Sequence, residues 1–113
     1  MNRKMENLRM DNAFMICEYK NIAAYISGNL IGIIRVVGDG YSILYVQDII
    51  VHPNYQRRGV GKQLLERIDV IYPYVYQKVL LTDNQSSSLC FYNQNGYSLS
   101  SEANCVAMIK IIP

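Results

Sequence analysis

A chain of 113 residues, half of them hydrophobic and 18% charged, has the composition of one globular domain with a modest core. Its net charge of +2, with basic residues scattered except at Arg57-Arg58, argues against a nucleic-acid partner. No apolar run reaches the length of a membrane span and no signal peptide is visible, so no membrane partner is expected and the expected location is cytoplasmic.

Along the chain, Met5, Leu8, Met15 and Ile16 keep rough helical spacing with charged residues between them, which predicts a short helix or two over residues 1–20. Ile22–Ile26 reads as a strand, and Ser27-Gly28-Asn29 as a hairpin turn. Leu30–Val37 is a second strand, Gly38-Asp39-Gly40 a second tight turn, and Tyr41–Val51 a third strand. The three form an antiparallel meander. The Ile49-Ile50-Val51 end of the third strand is apolar on both faces, which places it centrally in the sheet.

Pro53 stops that strand because it has no N–H for the ladder. After a basic glycine turn, apolar residues at 60, 64, 65, 68 and 71 mark one face of a helix, with Lys62, Gln63, Glu66, Arg67 and Asp69 on the other. Pro73 ends it. Val75–Thr82 is a further strand, joined to the third by a parallel crossover. Asp83–Ser88 is rich in capping types, and a short helix over Ser86–Asn95 should follow. Asn95-Gly96 supplies a left-handed cap, with Tyr97 folding back on the last turn. Tyr97–Ser100 and Cys105–Ile112 read as a closing hairpin. The fold class is α+β: a mixed, mostly antiparallel central sheet with flanking helices, in a single domain over 1–113.

Cys17, Cys90 and Cys105 form no C-x-x-C pair; they are expected as reduced, mostly buried thiols, and no metal is expected. Ten tyrosines against no tryptophan suggest amphipathic packing residues at the core edge, some of them lining a pocket.

The turn Gln56-Arg57-Arg58-Gly59-Val60-Gly61 joins an apolar strand to a helix N-terminus. The first N–H groups of a helix have no internal acceptor, and the helix dipole is positive there. Two glycines let the backbone approach an anion closely, and Arg57 and Arg58 add forked donors. A phosphorylated small molecule is the expected ligand. The competing reading is a turn that glycine merely tightens.

These residues, in this order of elements, resemble the GNAT superfamily of N-acetyltransferases. Asp48–Tyr55 resembles that family's central strand and its exit; Gln56–Gly61 fits its [Gln/Arg]-x-x-Gly-x-[Gly/Ala] pattern; Phe91-Tyr92-Asn93-Gln94-Asn95-Gly96-Tyr97 is similar to its Phe-Tyr-x-x-x-Gly-Phe segment. The resemblance covers roughly residues 22–112 and departs at the front, where members usually carry a strand and two helices that wall the acceptor site. It implies an acyl-CoA N-acyltransferase-like fold with acetyl-CoA as co-substrate. The diphosphate would lie on the N–H groups of Arg57, Arg58, Gly59, Val60 and Gly61 and on the helix start at Lys62, with Gln56 in the motif. The pantetheine arm would pair like an added strand with Ile49, Ile50 and Val51, provided a bulge near 49–51 splays the third strand from the next.

Transfer to a primary amine needs a proton acceptor, because a free alkylammonium has a pKa near ~10. Asp48 is the candidate; its alternatives are a solvated strand residue or a salt-bridge partner. A backbone N–H near Ile50 or Val51 would serve as the oxyanion donor. The resemblance assigns Tyr92 as the acid that protonates the leaving thiolate, and its alternative is plain packing. Asn84 reads as an N-cap in preference to a contact on the cofactor arm. His52 reads as a turn residue that hydrogen-bonds locally. The short front suggests a homodimer that completes the acceptor pocket, and the runner-up function is a CoA-binding module with little or no catalysis.

Overall fold

The computed structural model describes residues 4–7, 10, 12–18 and 20–113. The chain divides into two compact units, Met1–Leu81 and Thr82–Pro113.

In the first unit six strands form one sheet in sequence order: β1 (Lys4–Asn7), β2 (Ala13–Glu18), β3 (Asn21–Ile26), β4 (Asn29–Gly38), β5 (Ile43–Val51) and β6 (Gln77–Leu80). Neighbours from β1 to β5 run antiparallel, and β6 joins β5 in parallel after the helix α1 (Val60–Ile71). The meander and the parallel step are as expected from the sequence. The helices expected over 1–20 are not: the described part of that stretch is two strands with bend and turn residues, and Leu8 lies outside the described residues. The physical reason is a period of two. Met15 and Cys17 are buried on one face of β2, while Phe14 stacks on its cross-strand partner Tyr25 with ring centroids 5.3 Å apart.

The core lies between α1 and one sheet face. Cross-strand partners Cys17, Ile22 and Ile34, then Val36 and Val46, are buried on that face. Val60, Leu64, Leu65 and Ile68 bury the matching side of α1, each contributing about 2 kcal/mol. Gly32 lets the helix come close, because a Cβ there would stand 3.1 Å from Val60 Cγ1. That contact fixes the start of α1 over β4 and β5. Two expectations are corrected here. Gln63, assigned to the polar face, is only 7% exposed. Ile50 is 61% exposed, since its partner Ile33 lies on the face away from α1.

The second unit holds α2 (Ser86–Gln94) and a short 3-10 helix, Ser100–Ala103. α2 ends as expected in a left-handed cap: Gly96 has φ 93°, Gly96 N–H donates to Asn93 O at 3.2 Å and Tyr97 N–H to Tyr92 O at 3.0 Å. The closing hairpin does not form. Ser100–Ala103 winds into the 3-10 turn, Asn104 takes φ 60°, and 105–113 carries no strand. Capping bonds at 101–105 (Cys105 N–H and Sγ both reach Ser100 O, at 3.1 and 3.2 Å) use the backbone that a hairpin would pair. Of the cysteines only Cys17 is buried; Cys90 and Cys105 are exposed, against expectation, because the second unit has no buried face at those positions. Among the described residues no helix is long and apolar enough to cross a membrane.

Candidate functional site

The site begins where β5 leaves β6. Their ladder runs from Ile43↔Gln77 to Val46↔Leu80 and stops. Against β4 the register shifts at the same level: Arg35 faces Asp48 but Val36 faces Val46, so Gln47 is an extra residue. The expected bulge is therefore present two residues earlier than 49–51. Its cause is the side-chain pattern. Val46 and Ile49 both oppose core-facing residues of β4, Val36 and Ile34, and a three-residue step keeps one face only with an inserted residue.

Beyond the bulge the far edge of β5 has no strand partner among the described residues. His52 N–H donates to Ile31 O at 2.7 Å. The alternation of an antiparallel ladder then turns the backbone of Ile50 and Asp48 toward β4, and that of Ile49 and Val51 toward the open edge. An extended, amide-rich ligand can pair there.

The chain leaves this edge through a 3-10 turn, Pro53–Tyr55, held by Asn54 N–H donating to His52 Nδ1 at 3.1 Å. His52 is thus a local turn residue, as expected. Gln56 Nε2 donates to Val51 O at 3.0 Å and ties the loop back to the strand end. Arg57 and Gly59 take φ values of 63° and 84°. Gly59 is the N-cap of α1, with no side-chain cap and no acidic residue in the first turn. The N–H groups of Val60, Gly61 and Lys62 have no acceptor within the helix. Arg57, Arg58 and Lys62 are exposed around this start, and the Arg58 guanidinium lies 5.2 Å from the centroid of the Tyr55 ring. An uncapped helix start ringed by three cations, continuous with an open strand edge, suits a diphosphate carrying an extended arm.

Asp48 lies on the sheet face away from α1, and its carboxylate accepts from Arg35 Nη2 at 2.6 Å. The structure thus brings Asp48, Ile49–Val51 and Gln56–Lys62 onto one continuous stretch. Sequence reasoning missed Gln63, whose Nε2 donates to Gly59 O at 3.0 Å. The available signal was its position one turn after the loop glycine, next to Leu64 on the apolar arc.

Asn84 and Tyr92 belong to the second unit. Asn84 is not the N-cap; Gln85 is, and Gln85 N–H donates to Asp83 Oδ1 at 3.0 Å. Tyr92 packs edge-on against Phe91 and Tyr97, with centroids 5.0 and 6.1 Å away. Burial pushes its phenol above the ordinary 10.0, and the Asp83 carboxylate acts in the same direction. Tyr92 is therefore a neutral phenol at neutral pH and able to donate a proton.

Residues 11–99 match the family model described as an acetyltransferase (GNAT) domain. The chain belongs to the GNAT acetyltransferase family. Solved structures agree with that. A GNAT-family acetyltransferase of Streptococcus pneumoniae is 36% identical at a TM-score of 0.77, covering 81% of this chain and 70% of that one. A probable acetyltransferase of Staphylococcus aureus is 27% identical at 0.64, covering 80% and 70%. A Bacillus anthracis protein provisionally classed as a streptothricin acetyltransferase, solved with acetyl coenzyme A, is 26% identical at 0.58, covering 73% and 47%. No curated protein matches the chain. The GNAT fold accounts for the bulged, half-open strand and the glycine turn after it.

Proposed function

We propose that this chain transfers the acetyl group of acetyl-CoA directly to a primary amine, acting as one N-acetyltransferase domain. The observation that carries the reading is the uncapped start of α1 placed at the end of the open edge of β5. The N–H groups from Arg57 to Lys62 bind the diphosphate, with Arg57, Arg58 and Lys62 as outer donors and Gln56 holding the loop to the strand. Ile49, Ile50 and Val51 take the pantetheine arm, and Ile49 and Val51 supply the outward backbone. Asp48 accepts the amine proton, directly or through water, once Arg35 yields. Tyr92, on the strength of its motif, donates to the leaving thiolate, and Asn84 contacts the arm. Completion of the acceptor side by a second copy, in a cytoplasmic homodimer, belongs to the same proposal.

The test is thiol release from acetyl-CoA across a panel of primary amines, alongside calorimetric titration with CoA. Turnover with at least one amine is expected. A second reading, a CoA-binding module with little catalysis, is favoured by the Arg35–Asp48 pair, which occupies the candidate base. Tight CoA binding without turnover on any amine would select it.

A further inference from the structure

Among the described residues Gln63 is the sole buried polar residue, on a helix whose other buried positions are all aliphatic. Leaving an amide in that core is costly unless it is satisfied. Its backbone and its side chain both donate to one atom. Gln63 N–H reaches Gly59 O at 3.1 Å, the ordinary first bond of the helix, and Gln63 Nε2 reaches the same oxygen at 3.0 Å. Gly59 needs such support: it is a left-handed glycine with no capping side chain of its own, at the residue type with the widest backbone freedom.

The consequence follows from peptide geometry. No peptide bond among the described residues is cis, and in a trans unit the C=O and the following N–H point in opposite directions. Holding Gly59 O toward Gln63 therefore turns Val60 N–H away from the helix, out of its first turn. We infer that Gln63 is a positioning residue of the anion cradle: its side-chain amide fixes the Gly59–Val60 peptide plane and aims Val60 N–H at the diphosphate, without touching the ligand. This rests on the reading of the cradle as a CoA diphosphate site.

Gln63→Met keeps the length and burial of the side chain and removes the donor; Gln63→Asn keeps an amide but shortens its reach. Each is compared with the unaltered protein in CoA affinity by calorimetry, and in turnover with acetyl-CoA and with S-acetylpantetheine, which carries thioester and arm but no diphosphate. Both variants should bind CoA up to about tenfold more weakly, because Val60 N–H is still present but its peptide plane is held by the backbone bond alone and its charge-assisted hydrogen bond to the diphosphate is weakened. The KM for acetyl-CoA should rise by the same factor, while kcat at saturation and the rate with S-acetylpantetheine stay unchanged. Equal losses with both thioesters, as a generally loosened fold would give, overturn the inference. So does unchanged CoA affinity in a folded variant. Failure of the unaltered protein to bind CoA instead removes the functional reading itself, and is seen before any variant is made.

Discussion

Arg35 and Asp48 are partners across the β4–β5 ladder, one residue from the Gln47 bulge, and their side chains meet at 2.6 Å. The side chains are 52% and 38% exposed, so the pair is worth less than about 1 kcal/mol to the fold. That separates its two roles experimentally. Asp48→Asn should leave the melting temperature nearly unchanged and lower kcat by about a hundredfold, the size of a lost general base. Arg35→Gln leaves the carboxylate in place and should retain most activity. Comparable kcat in Asp48→Asn and the unaltered enzyme would move the proton to another acceptor.

Gly59→Ala tests the loop. The new Cβ has room, since the nearest atom, Gln63 Nε2, would be 3.6 Å away. The penalty is instead conformational: φ of 84° costs an L-residue about 1–2 kcal/mol. Urea denaturation should show that loss, and the KM for acetyl-CoA should rise several-fold as the loop relaxes. Unchanged cofactor affinity in a destabilised protein would mean that the loop conformation serves the fold alone.

A third outcome concerns acid stability. The Asp39 carboxylate closes the β4–β5 turn: it accepts from the Ser42 hydroxyl and from the N–H groups of Tyr41, Ser42 and Ile43, the last three at 2.9, 2.8 and 3.2 Å. The Ser42 hydroxyl first, then these N–H groups, hold its pKa well below the ordinary 3.8. A depressed folded value gives stability that is fully present above the unfolded value and is lost progressively as pH falls from there through the folded one. Asp39→Ala should therefore be less stable than the unaltered protein at neutral pH, with the gap starting to narrow as pH falls below the ordinary 3.8 and still largely present at about pH 3 in parallel urea titrations. A gap independent of pH would show that the turn does not depend on the carboxylate charge.

What was legible in the sequence and what was not divide along physical lines. The meander, α1 and the parallel β6 were readable because turn residues and apolar periodicity agree there; Gly59, Gly61 and the Val60–Ile68 stripe each have one plausible structural use. The front was misread because Met5, Leu8, Met15 and Ile16 are too few to separate a period of 3.6 from one of two. Cys105–Ile112 has strand composition, yet pairing depends on a partner that composition does not name. Within the site, backbone donors were predictable from the glycines, whereas the Arg35–Asp48 pair and the inward turn of Gln63 depend on register and packing. Side-chain identity alone would place Gln63 on the surface, and it does not name Arg35 as the partner of Asp48.

The Tyr92 phenol offers the remaining check. Burial is the larger cause of its raised pKa and Asp83 the smaller. In tyrosine-labelled spectra the Tyr92 resonance, assigned by its absence in Tyr92→Phe, should titrate above 10.0. Asp83→Asn should move it down but leave it above that value, because the burial persists. The sign for stability follows: a group that is harder to ionise when folded contributes stability below its unfolded value and loses it as pH rises through the folded one. Tyr92→Phe should remove that alkaline loss. In turnover it should slow kcat by about tenfold without abolishing it, because a thiol with a pKa near ~8.5 already leaves largely unaided. A Tyr92→Phe enzyme with full kcat would reduce Tyr92 to a packing residue beside Phe91 and Tyr97.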